Sequence, residues 1–173
     1  MPLWLELDGF RLVHACWDDD AIATVAERRP DGRLRVEDML EVSEKKTKFA
    51  KAVERLTSGP EVELPNDIKF HDKNKHPRGH VRIAWWKAQI GTWREVALSV
   101  PDLSELPDAP VSGAENVPLY LNDAPPVFVG HYKMQGSPRL EGHNAICLDY
   151  PTESCVYLWN GEARFTEDNL NPL

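Results

Sequence analysis

His14 and His131 stand at opposite ends of the sequence, and each closes an apolar run: Arg11-Leu12-Val13-His14-Ala15-Cys16-Trp17 and Pro126-Val127-Phe128-Val129-Gly130-His131-Tyr132. An imidazole set where a buried strand gives way to a turn is well placed to serve as a metal ligand at the edge of a sheet. The same pattern also fits two hydrogen-bonded core histidines. The elements that carry the two residues decide between these readings.

Leu3, Leu5 and Leu7 alternate with Trp4, Glu6 and Asp8, and Asp8-Gly9 turns the chain into a second strand from Phe10 to Cys16. His14 therefore rides on an N-terminal hairpin. So abrupt a start is also how a chain looks when its upstream half is missing. Asp18, Asp19 and Asp20 then supply a cap and first-turn acids for a helix over Ala21 to Arg29, ahead of Pro30 and Gly32. A second helix, from Glu44 to Thr57, puts Phe49, Val53 and Leu56 on one face and stops at Ser58-Gly59-Pro60. Its lysines, Lys45, Lys46, Lys48 and Lys51, read as a solvated face.

Beyond Gly59 the period returns to two. Short strands at 61–64, 68–71 and 81–86 surround the polar turn 72–79, which suggests a hairpin insertion over about 60–98. Residues 99–126 are proline-rich and acidic and read as an extended connection. Strands at 127–129, 145–150 and 156–159 follow, the first leading into His131. The sequence thus predicts a single α/β domain over 1–173, with helices and sheets segregated into layers.

Composition narrows the function. A chain of 173 residues, 42% hydrophobic and 28% charged, can bury a sizeable core. A formal charge of -8 opposes binding to nucleic acid or to an anionic membrane surface. No run approaches the roughly 20 apolar residues of a membrane span. Met1-Pro2-Leu3-Trp4 offers no basic leader, so a cytoplasmic protein is expected. The three cysteines, Cys16, Cys147 and Cys155, lack CxxC spacing and read as free thiols in a reducing compartment. His71, His76 and His80 lie close in sequence, but Pro77 and Gly79 break any helix that would align them, and they read as a polar hairpin tip. His143, in a loop after Gly142, reads the same way.

Several blocks carry a resemblance when taken in order: Pro2-Leu3-Trp4-Leu5-Glu6-Leu7, Leu12-Val13-His14-Ala15-Cys16-Trp17, Gly59-Pro60-Glu61, Trp85-Trp86, Val127-Phe128-Val129-Gly130-His131-Tyr132 and Cys147-Leu148-Asp149-Tyr150. Across nearly the whole chain they resemble the C-terminal half of bacterial calcineurin-like metallophosphoesterases, in the branch of serine/threonine phosphatases and diadenosine tetraphosphatases. The resemblance implies part of a four-layer fold, two facing mixed sheets flanked by helices, with its N-terminal half absent. It implies a binuclear centre of divalent manganese, iron or zinc that hydrolyses phosphate esters. His14 and His131 fall on the two histidine motifs that bind one metal.

Arg82 and Arg94, which flank Trp85, Trp86 and Trp93, are the candidate contacts to substrate phosphate, because a guanidinium binds phosphate oxygens in pairs. Tyr132 is a candidate to line the same pocket. The Gly-Asp-x-His, Gly-Asp-x-x-Asp-Arg and Gly-Asn-His segments that supply the family's other ligands do not occur here. No catalytic residue is therefore assigned. The expectation is a chain inactive alone, completed by an upstream half-domain or self-associating through exposed sheet edges. The alternative is a non-catalytic remnant acting as an interaction or regulatory domain.

Overall fold

A computed structural model describes residues 1–87 and 89–173. The alternating leucines at the N-terminus form the expected hairpin: β1 (Trp4–Leu7) pairs antiparallel with β2 (Phe10–Val13), and Leu7 faces Phe10 across the Asp8-Gly9 turn. Gly9 takes φ +90°, which any side chain would make costly. Strand β2 ends at Val13, short of the Cys16 expected, so His14 is the first residue beyond it.

Helix α1 (Asp19–Ala26) starts on its cap, the Asp18 carboxylate accepting from the Ala21 N–H at 3.0 Å. It ends before Arg29 because the following arginines turn toward acids. Arg29 donates to Asp38 from two nitrogens, at 2.9 and 3.0 Å, and to Glu37 at 2.8 Å, while Arg28 donates to Glu41 at 2.7 Å. The second expected helix begins about four residues later than Glu44, and a further helix that the sequence did not suggest precedes it. Helix α2 (Met39–Glu44) stops at Lys45, whose φ of 56° is left-handed, and α3 (Lys48–Ser58) restarts behind Thr47, whose hydroxyl accepts from the Ala50 N–H at 3.1 Å. Phe49, Ala50, Ala52, Val53 and Leu56 form the buried face of α3, and α1, which buries Ala21 and Val25, packs against this helix.

Strands β3 (Glu61–Glu63), β4 (Phe70–His71), β5 (Pro77–Arg78) and β6 (His80–Ile83), helix α4 (Trp93–Val96) and strand β7 (Ala97–Leu98) come next. β3, β6 and β7 make an antiparallel sheet, and β4 with β5 a small hairpin. Trp85 and Trp86, expected at the end of a strand, lie in a turn. The proline-rich stretch is bound to this region. The Trp93 N–H donates to the Ala109 carbonyl, the Val111 N–H to Gly91 and the Tyr120 N–H to Trp85, and the Tyr120 ring meets the Trp85 ring edge-on at 5.4 Å. Residues Pro60–Asn122 accordingly form one compact unit, and Met1–Gly59 with Asp123–Leu173 form another.

Strands β8 (Val127–Val129), β9 (Ala145–Cys147), β10 (Cys155–Tyr157) and β11 (Leu170–Pro172) finish the chain. The main sheet runs β1-β2-β8-β9, with β2–β8 and β8–β9 parallel, while β10 and β11 pair antiparallel in a sheet of their own. Every residue of β8 and β9 is buried, as befits parallel strands covered on both faces. Phe128, Ile146, Tyr157 and Phe165 form a buried cluster that gathers Phe10, Leu12 and Trp159. The molecule is a mixed α/β structure of helices and several small sheets.

Asp38 ties the end of α1 to the start of α2. It is 2% exposed, accepts from Arg29 and takes the Arg35 N–H at 2.8 Å. Arg29 holds its carboxyl down at about 2, against the opposing pull of burial. A carboxyl depressed on folding contributes stability above its ordinary value, and that contribution fades as pH falls from about 4 through about 2. Asp38→Asn is expected to cost about 2 kcal/mol at neutral pH, because Arg29 loses the buried carboxylate it binds through two nitrogens. Urea denaturation of both proteins should find this gap nearly closed at about pH 2. A gap constant with pH would exclude the ion pair as its source.

Candidate functional site

The register of β2 against β8 explains why the two histidines meet. Arg11 faces Val127 and Leu12 faces Phe128, and the Gly130 N–H donates to the His14 carbonyl at 2.9 Å, so His14 lies level with Gly130. Side chains alternate along an extended strand, so a straight continuation would send His131 to the face opposite His14. The chain turns instead. His131 has φ +71°, and the Tyr132 N–H donates back to the Gly130 carbonyl at 2.8 Å, closing a three-residue turn. This turn type is rare and strained. It brings His131 Nδ1 to 3.2 Å from His14 Nε2, with ring centroids 5.1 Å apart.

The segments around the pair are pinned on several sides. The Tyr132 hydroxyl donates to the Ala15 carbonyl at 2.9 Å, and the Ala15 N–H donates to the Leu56 carbonyl at the end of α3 at 3.0 Å. Beyond the turn, Asp149 accepts from the Lys133 N–H through its carboxylate at 3.1 Å and from the Met134 N–H through its carbonyl at 2.8 Å. The Cys147 thiol donates to the Gly130 carbonyl at 3.6 Å. His14 is exposed and His131 half-buried, so the two do not form a sealed core pair.

Metal geometry can be compared with this arrangement. Two nitrogens bound about 2.0–2.1 Å from one ion lie about 2.8–3.4 Å apart at octahedral to tetrahedral angles. The observed 3.2 Å fits one edge of such a shell. It fits no more than an edge: among the described residues no three His, Cys, Asp or Glu side chains form a group able to hold a metal. Burial pushes the Cys16 thiol well up, the nearby Asp18 adding to the effect, and burial raises Cys147 to about 11, so with no cation beside them both are thiols at neutral pH.

The other sequence candidates are held elsewhere. Arg82 and Arg94 belong to the 60–122 unit, where Arg82 faces Glu61 at 3.3 Å, and Arg94 donates to the Leu106 carbonyl at 3.0 Å and lies 3.6 Å from Asp108. Tyr132, read from the sequence as lining a pocket, is instead fully buried, its hydroxyl given to Ala15. His71 Nδ1 meets the Glu105 carboxylate at 3.2 Å and His76 Nδ1 lies 3.7 Å from that of Asp72. Lys45 pairs with Glu54 and Lys46 with Glu44 on the surface. The contributions of Ala15, Gly59 and Asp149 went unread. Gly59-Pro60 stood out as a helix stop and a motif block, and Asp149 only as part of a motif.

Comparison of the chain with family models, with curated proteins and with solved structures finds no match. Any functional reading therefore rests on the geometry of the pair and on the resemblance of its motifs.

The strain at His131 is measurable. Alanine ordinarily stabilises a position over glycine by roughly 0.5–1 kcal/mol. At a left-handed φ the order should reverse, leaving His131→Gly more stable than His131→Ala by about 1 kcal/mol in urea titrations. Both variants lose the imidazole, so the difference reports the backbone alone.

Proposed function

We propose that this chain is the C-terminal part of a calcineurin-like metallophosphoesterase domain, the described sheet being one side of a four-layer arrangement. His14 and His131 act as ligands to one metal of a binuclear centre, and the remaining ligands come from residues outside this sequence. The observation that carries this reading is the approach of two imidazole nitrogens to 3.2 Å, at the ends of neighbouring parallel strands and on the residues the motif resemblance singles out. Divalent manganese, iron or zinc bound there would act as a Lewis acid on a phosphoryl oxygen.

Within these 173 residues the chemistry stops at ligand presentation. Two neutral imidazoles without a bridging carboxylate cannot hold two ions about 3.5–4 Å apart, so the chain alone is not an efficient phosphatase. Its substrate, once the site is completed, is a phosphate ester. The partner that completes the site is the upstream half of the domain. Among the described residues no helix is long and apolar enough to cross a membrane. A cytoplasmic setting accords with three free cysteines.

A second reading, a non-catalytic interaction module, draws on one observation. Val36, Met39 and Leu40 are 88%, 46% and 73% exposed and follow helical spacing at and before the start of α2. An apolar ridge of this kind is a common basis for association.

Isothermal titration with Zn²⁺ separates the two. The ligand reading expects one weak site in the wild-type chain and a loss of affinity of about tenfold or more in both His14→Ala and His131→Ala. No uptake by the wild type, or uptake indifferent to both substitutions, would sink it.

A further inference from the structure

Tyr132 is the residue next to the strained turn, and nothing in the metal-ligand reading requires it. Its position is nonetheless built with care. The ring is 0% exposed, and the hydroxyl crosses from the His131 turn to the Ala15 carbonyl, one residue past His14. Ala15 is thereby held at both ends of its backbone, the N–H by Leu56 and the C=O by Tyr132. The hydroxyl also has a place kept for it. A Cβ on Gly59 would lie 2.3 Å from the Tyr132 hydroxyl oxygen, and Gly59 itself has φ +77°. Only glycine permits both the backbone conformation and the close approach.

These contacts form a closed loop of constraints around the pair. The Gly130 N–H fixes the His14 carbonyl, the turn at His131 redirects the chain, and the Tyr132 hydroxyl returns to the His14 segment. The Asp149 and Cys147 contacts hold the turn to β9 and the residues after it, and the Tyr132 hydroxyl ties it to the His14 segment; without that bond the strained turn relaxes toward negative φ more readily, and alternation carries His131 away from His14. We infer that Tyr132 is a positioning residue: its hydroxyl bond to Ala15, in the space left by Gly59, sets the separation of His14 Nε2 and His131 Nδ1. Its functional meaning rests on the proposed metal-ligand role, but its effect on geometry does not.

The test is Tyr132→Phe, which keeps the ring and removes the hydroxyl, alongside Tyr157→Phe as a control. Tyr157 is a buried tyrosine of the same unit whose hydroxyl bonds Glu162 and the Thr166 N–H, away from the pair. Two quantities are read on the full chain. The first is the ¹⁵N spectrum of the metal-free imidazoles. A hydrogen bond between His14 Nε2 and His131 Nδ1 requires one ring to donate and the other to accept, which fixes the same tautomer in both rings, Nε2–H if His14 donates and Nδ1–H if His131 does. Tyr132→Phe is expected to blur these into averaged tautomer signals, and Tyr157→Phe to leave them unchanged. The second is Zn²⁺ affinity, expected to fall about tenfold in Tyr132→Phe only.

Wild-type tautomers in Tyr132→Phe, or equal effects from both substitutions, overturn the positioning role. Failure of every protein to take up Zn²⁺, with the tautomer change still confined to Tyr132→Phe, would defeat the metal reading and leave the positioning role standing. Should Tyr132→Phe lose the folded state, 3-fluorotyrosine at position 132 replaces it. Its hydroxyl keeps its place but donates more strongly, so the His14 and His131 signals must shift, and unmoved signals overturn the proposal.

Discussion

The parallel pairing of β2 with β8 joins segments 117 residues apart, and the site depends on it. Two antiparallel strands would have sent the histidines to opposite ends of the sheet. Parallel strands end on the same side, so residues just past each strand become neighbours. Strand β8 is in turn fixed by burial, since Val127, Phe128 and Val129 are all enclosed and Phe128 sits in the aromatic cluster with Tyr157 and Phe165. Packing of that kind leaves little room to slip, because a one-residue shift would exchange the two faces of the strand. The position of His131 is thus set by apolar side chains that have no part in its chemistry.

The strain at His131 follows from the same constraint. Register places His14 opposite Gly130, one residue short of its partner, and the mismatch is absorbed by a backbone conformation that a histidine adopts at a cost of about 1–2 kcal/mol. Gly130 precedes the strained residue and gives its N–H and C=O to the two bonds that shape the turn. A strained residue persists only where its surroundings over-determine it. Here Asp149 holds the outgoing chain and Tyr132 the incoming one, while Cys147 caps the Gly130 carbonyl.

Local features of this arrangement were legible in the sequence because they obey local rules. The Asp8-Gly9 turn, the Asp18 cap and the apolar runs before each histidine involve neighbours a few residues apart. The histidine pair was legible as two motifs but not as a distance, since register between remote strands is decided by packing. The helix expected over 44–57 is present as α3 with its apolar face, but it starts at Lys48 because Thr47 caps it and Lys45 takes a left-handed conformation that ends α2, a helix with no buried residue to mark it in the sequence. The proline-rich stretch looked like a loose connection because prolines hide backbone pairing, whereas its carbonyls receive donors from Trp93 and Arg94. Tyr132 looked like a pocket residue because sequence adjacency to His131 says nothing about direction. The positive φ at His131 is what turns its ring inward.

Imidazoles differ from carboxylates in what they can do without a metal. Two carboxylates brought within about 3 Å repel one another, and one must take up a proton to relieve the conflict. Two neutral imidazoles at the same distance attract, because each ring carries one donor and one acceptor nitrogen. The His14–His131 contact at 3.2 Å is therefore stable by itself, and the same separation fits one edge of a coordination shell. The geometry of the pair is thus self-supporting, held by its own donor and acceptor nitrogens.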